Sequence, residues 1–173
     1  MAASGGGAGA ACQDEAHEDA IALGLRQSAG DLLLDPDDIP WVPQASGVWF
    51  RPLRISLGPG TWTNLIRVTG HGIVGLHRHV APVEAWVVCG RWRYLEHDWA
   101  ARPGSYVYEP AGDVHTLATL GDEETVTLFS VHGPIEYLGP GGEVDHVETA
   151  ETKLRRYVDF CASHGIQVAP VIC

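Results

Sequence analysis

Between residues 53 and 132 the chain runs in short stretches that mix apolar with β-branched and aromatic residues, each cut off by glycine or proline. The stretches 53–57, 62–69, 73–79, 83–88, 92–96, 105–108, 115–120 and 125–132 have strand length and strand composition. Gly58-Pro59-Gly60, Pro103-Gly104 and Gly139-Pro140-Gly141-Gly142 punctuate the pattern. This spacing predicts an all-β sandwich or barrel. Beyond the last glycine-rich turn the period changes: Leu154, Tyr157, Val158 and Cys161 share one helical stripe, predicting an amphipathic helix over 150–162 packed on the barrel. Upstream, 32–34 reads as a short strand, and 41–43 and 47–50 as edge pieces, because their prolines remove ladder donors. Residues 14–25 suit at best a short helix, and the Gly- and Ala-rich first 13 have nothing to pack.

The predicted organisation is an N-terminal extension, 1–30, largely disordered or a short helix, then a barrel over 31–147, then a helix and tail over 148–173. The 173 residues fit one domain. With 22 acidic against 11 basic residues and a formal net charge of -11, nucleic acid and anionic membranes are excluded as expected partners. Cys12, Cys89, Cys161 and Cys173 form no CxxC pair, which argues against a zinc ribbon or disulfide scaffold and for a reducing cytoplasm. Neither a leader pattern nor a run of membrane-spanning length occurs, so a soluble cytoplasmic protein is expected.

The chemistry concentrates at His77-Arg78-His79, with Glu84 five residues on and His115 thirty-six residues on. Alternate residues of a strand share a face, so His77 and His79 form a two-nitrogen clamp while Arg78 points away. His115 follows a Pro110-Ala111-Gly112 turn of the kind that re-aims a chain toward a barrel interior. Three imidazoles and a carboxylate constitute a metal site, with His77, His79, His115 and Glu84 as ligands. Imidazole suits Fe, Zn, Cu and Ni alike, so the set does not choose the metal. Glu84 is either the fourth ligand or a base for an acidic substrate proton.

These residues resemble the cupin superfamily. Gly104, Pro110, Gly112 and His115 match its second motif, G-x5-P-x-G-x2-H-x3-N, with Thr119 in place of Asn. His77, His79 and Glu84 match the first, although His71 stands where the opening glycine belongs and Gly90 falls one residue early. From Asp35 to the C-terminal helix the chain is similar to the group containing acetylacetone-cleaving dioxygenase and 2,4'-dihydroxyacetophenone dioxygenase, through the stretches 60–67, 90–99 and 103–116. The resemblance implies a double-stranded β-helix, or jelly-roll, barrel with a C-terminal helix. It also implies Fe(II) held by His77, His79 and His115, with Zn, Ni or Mn as alternatives. The best-known diketone-cleaving members lack a carboxylate at Glu84. In that group a glutamate in the motif of Glu96 lies near the metal, which makes Glu96 a neighbouring or alternative ligand and catalytic candidate, or else a partner for an arginine.

Trp86, two residues after Glu84, and Tyr94, in register with Glu96, are expected in the substrate pocket, together with Arg67 as an orienting cation or a surface ion pair. His71, His97 and His132 lack ligand spacing, and Cys89 reads as a buried small hydrophobe. The expected function is a mononuclear non-haem Fe(II) dioxygenase cleaving a C–C bond beside the carbonyl of a small enolisable ketone, a β-diketone or hydroxyacetophenone. The partners are then that ketone and dioxygen, in a homodimer or homotetramer. The alternatives are a non-redox metal-dependent isomerase, cyclase or decarboxylase on a related ketone or polyketide, and a non-catalytic zinc-binding cupin sensor.

Overall fold

The computed structural model describes residues 31–172; the expected N-terminal extension and the terminal Cys173 lie outside them. The strands are β1 (Val42–Ala45), β2 (Val48–Ser56), β3 (Thr61–Val68), β4 (Ile73–His79), β5 (Val83–Cys89), β6 (Trp92–Tyr94), β7 (Tyr106–Glu109), β8 (Val114–Thr119), β9 (Thr125–Val131), β10 (Ile135–Leu138) and β11 (Val144–Glu148). Helix α1 (Ala150–His164) follows. Two antiparallel sheets, ordered β1-β2-β3-β9-β5-β7 and β11-β10-β4-β8-β6, face each other in a jelly roll. Pairings such as β3 with β9 and β4 with β8 join strands distant in sequence.

The inner faces follow from the alternation in the chain. Val83, Ala85 and Val87 of β5 are buried while Glu84, Trp86 and Val88 between them are not. Phe50, Trp62, Phe129 and Val131 come from one sheet and Trp92, Tyr94 and Leu117 from the other. Trp92 is fully buried and its indole N–H donates to Thr127 Oγ1 at 2.9 Å, so its polar edge is satisfied inside the core.

Several expectations change. The edge piece 47–50 and the strand 53–57 are one strand, β2. A register shift between Pro52 and Arg54 accommodates the proline, and Pro52 lies beyond the last β1 partner, Phe50. Residues 32–34 form no strand; Leu33 is exposed and finds no pairing partner. Strands β10 and β11 were not anticipated, because their residues are mostly half-buried or exposed and show no clean alternation. Cys89 is free and half-buried rather than buried.

Helix α1 buries the predicted stripe of Leu154, Tyr157, Val158 and Cys161. Thr149 caps its N-terminus in a capping box with Thr152, and Gly165 ends it in a left-handed turn. Beyond it the tail returns to β2, where Ile55 N–H donates to Val171 O at 2.7 Å. No helix among the described residues is long and apolar enough to cross a membrane.

The two departures from the first motif have backbone consequences. His71, where a glycine was expected, is the one non-glycine residue with positive φ among those described, at 58°. Gly90 has φ of 74°, and a Cβ there would lie 2.5 Å from Glu124 O. His71→Gly is therefore expected to stabilise the fold by about 0.5–1 kcal/mol, since the left-handed penalty outweighs an exposed contact to Asp122. Gly90→Ala should destabilise it by about 2 kcal/mol; denaturant melts of both variants test the opposite signs.

Candidate metal centre

A bulge in β4 aims the histidines. On β8 the inward residues Leu117 and His115 are two apart, but their β4 partners Val74 and His77 are three apart, with a register shift between them. One extra residue at Gly75-Leu76 thus reverses the facing of the strand. Ahead of the bulge Ile73 and Gly75 are exposed; after it His77 and His79 are buried. The Gly75 carbonyl also accepts a hydrogen bond from His77 Nδ1 at 2.7 Å. With the proton on Nδ1, Nε2 keeps its lone pair.

His77, His79 and His115 are 6 %, 3 % and 0 % exposed, and one ring nitrogen of each lies within 4.8 Å of the others. His79 Nε2 and His115 Nε2 are 3.1 Å apart. Two imidazoles at right angles around an ion about 2.1 Å away would have nitrogens roughly 3.0 Å apart, so the spacing fits a shared cation. Burial, followed by the neighbouring His79, pushes His77 down to about 4. Burial, then His77 and His79, pushes His115 down to about 2. Both are neutral near pH 7, the form that ligates. Tyr94 stacks on His115 with ring centroids 3.6 Å apart and planes 13° apart, which fixes the imidazole plane.

The carboxylate beside the imidazoles is Glu109. It is 1 % exposed, and its Oε2 lies 2.9 Å from His79 Nε2 and 3.7 Å from His115 Nε2. Its Oε1 accepts a hydrogen bond from the Tyr94 hydroxyl. Burial, then the Glu109 charge, hold the Tyr94 phenol well above its ordinary range, so it stays a donor.

The other sequence candidates lie elsewhere. Glu84 pairs with Tyr108 on the outer face of β5, accepts from the Tyr106 hydroxyl at 2.9 Å and is too far round the strand to join the histidines. Trp86 shares that outer face and is 42 % exposed, so it is not a pocket wall. Glu96 is exposed and accepts from Thr116 N–H at 2.9 Å, holding the backbone next to His115 without reaching the ring. The Arg67 guanidinium sits over the rings of Trp41 and Trp49, at 4.8 and 4.6 Å, rather than over the site. The parity of Val83, Ala85 and Val87, readable in the chain, turns Glu84 out, whereas the pairing that places Glu109 opposite inward Val83 is set by the register of β7 on β5.

His77 and His79 form part of the wall of a small cavity of about 50 Å³. Tyr94, Trp62, Ile66, Leu117, Phe129 and Val131 give it an apolar lining. Its polar side is formed by Gln44, Tyr137, Glu148 and Lys153. Lys153, 2 % exposed, reaches Glu148 Oε2 at 2.9 Å and Gln44 Oε1 at 2.6 Å, and lies over the Phe50 ring. These partners offset the cost of burying its charge.

A two-sheet jelly roll carrying three inward histidines next to an apolar cavity defines a cupin. The chain matches the ChrR cupin-like domain family over residues 29–136 and belongs to that family. It is similar to an RmlC-like cupin protein from Ralstonia eutropha, at 31% identity over 83% of this chain and 95% of that one, with a TM-score of 0.79. A second cupin-fold protein of unknown function from the same organism shares 18% identity over 86% and 95% of the two chains, with a TM-score of 0.77. An acetylacetone dioxygenase from Acinetobacter johnsonii shares 16% identity over 78% and 94%, with a TM-score of 0.67. No curated protein matches the chain.

His115→Ala should reduce bound metal from about one ion per chain to a small fraction of that, while Glu84→Gln leaves it unchanged, both read by elemental analysis of purified protein. In the metal-free protein, unfolding frees His77 and His115 to bind protons below their ordinary value of 6.5. Stability contributed by the two neutral rings is present above 6.5 and falls as pH drops toward 4 and below. Melting temperatures across this range, with His77→Gln flattening part of the slope, check the sign.

Proposed function

We propose that the chain is a mononuclear non-haem Fe(II) dioxygenase that cleaves the C–C bond beside the carbonyl of a small enolisable ketone. The observation that carries this reading is three buried, converging imidazoles, two of which, His77 and His79, line an apolar cavity. His77, His79 and His115 would hold the ion, and iron there would supply the electron transfer between a chelating ketone and dioxygen, yielding acid products.

The remaining work falls to groups of the chain. Glu109 Oε2, beside the histidines, takes the acidic proton of the ketone as it enolises, the role that the sequence suggested for Glu84. Tyr94 holds Glu109 Oε1 and keeps the second oxygen pointed at the site. Trp62, Phe129 and Leu117 exclude water from the enolate and limit the substrate to a small, largely apolar molecule. A cytoplasmic homodimer or homotetramer is the setting proposed for this activity.

A second reading, a non-catalytic zinc-binding cupin, is favoured by the closeness of the same imidazoles, which suit zinc equally. Purification without added metal, then anaerobic Fe(II) loading, separates the two. The dioxygenase reading expects oxygen uptake with some members of a panel of β-diketones and hydroxyacetophenones, and a loss of about 100-fold in turnover for Glu109→Gln with bound iron retained. Stoichiometric zinc and no uptake on any ketone would overturn the dioxygenase reading.

A further inference from the structure

Asn64 is a buried amide without a partner. It lies on β3 between Trp62 and Ile66, pairs across the sheet with Phe129 and Pro52, and is 2 % exposed. Neither its Nδ2 nor its Oδ1 meets a hydrogen-bond partner among the described residues, and the side chain lines the cavity that also contains His77 and His79. Buried polar groups are satisfied in nearly all folded proteins, and leaving one unpaired is costly. A leucine would fill this apolar surrounding without that cost. The position therefore makes sense when something entering the cavity completes the amide.

The fold fixes where that group must lie. On the inner face of the first sheet, Trp62, Val131, Val83 and Glu109 form one row through direct cross-strand pairs. Asn64 and Phe129 form the next row, roughly 7 Å further along the strands. A molecule seated beside Glu109 and the histidines extends along this face toward Asn64. The amide carries no charge, so an anion would satisfy Nδ2 but oppose Oδ1. A group placing a donor beside an acceptor, as the edge of a primary carboxamide does, pairs with both.

We infer that Asn64 is a specificity-determining residue that selects substrates carrying a neutral, carboxamide-like donor–acceptor edge distal to the metal-chelating oxygens. The inference rests on the chelated-ketone reading above and narrows its substrate class. A small aliphatic β-diketone without such a group would leave the amide unpaired, which is the condition under which polar sites discriminate most strongly.

Calorimetric titration of zinc-loaded protein, in which no turnover occurs, tests this with three probes. They are a β-diketone bearing a primary carboxamide two methylenes from its carbonyls, the matching methyl ester, and the plain alkyl diketone. The carboxamide should bind about tenfold more tightly than either of the others. In Asn64→Leu that ratio should collapse to about one, with circular dichroism and melting temperature confirming the fold. Equal binding of all three probes by the unaltered protein, or a preference that survives in Asn64→Leu, overturns the assignment while leaving the chelation reading intact. Failure of all three probes to bind removes the chelation reading and this inference with it.

Discussion

The extra residue in β4 is the constraint on which the site depends. A strand fixes only that His77 and His79 share a face; it does not say which face. In the register set by Ile73 and Gly75 that face would be solvent, and the clamp would lie outside the barrel. The bulge between Val74 and His77 turns the pair inward and brings His77 directly opposite His115. Its Gly75 carbonyl then fixes the His77 proton on Nδ1. Register, orientation and tautomer thus have one local cause.

The same parity logic decides the carboxylate. Glu84 has the spacing of a cupin ligand, but its strand is buried through Val83, Ala85 and Val87, so the intervening glutamate must face out. Spacing along a chain is weaker evidence than parity within a strand, because a one-residue difference reverses the face. Glu109 occupies the inward position at the end of β7, directly before the Pro110 turn that leads to His115. Tyr94 donates to its Oε1, while its Oε2 is buried beside the imidazole nitrogens with no hydrogen-bond partner. Tyr94 therefore links two functions, stacking on His115 and orienting Glu109.

Legibility followed the strength of the local pattern. Strands β3, β5 and β9 were readable because their apolar alternation is driven by one buried face, and α1 because its stripe repeats at helical period. Strands β10 and β11 lie at the sheet margin, where few residues need to be buried and pairing with β4 supplies the order instead. The division at Pro52 was misread because proline in a strand usually marks an edge, whereas here a register shift absorbs it. The three histidines could be found from motif spacing alone. The cavity's polar side could not, since Gln44 is about a hundred residues from Glu148 and Lys153 and meets Lys153 only once α1 docks.

That docking ties the stability of the fold to the shape of the cavity. Lys153, the only lysine in the chain, is placed by α1 against Glu148 at the end of β11, Gln44 of β1 and the Phe50 ring of β2. Burial lowers its pKa while the Glu148 carboxylate acts to raise it. An apolar residue in its place would pack without this dependence. The charged pair instead couples the helix to a wall of the cavity, and Tyr137, hydrogen-bonded to Gln44 and packed near His77, carries the contact toward the histidines. Displacement of α1 would therefore open the cavity and loosen the imidazole face together. The C-terminal helix is in this sense a part of the site's wall as well as a cover for the barrel.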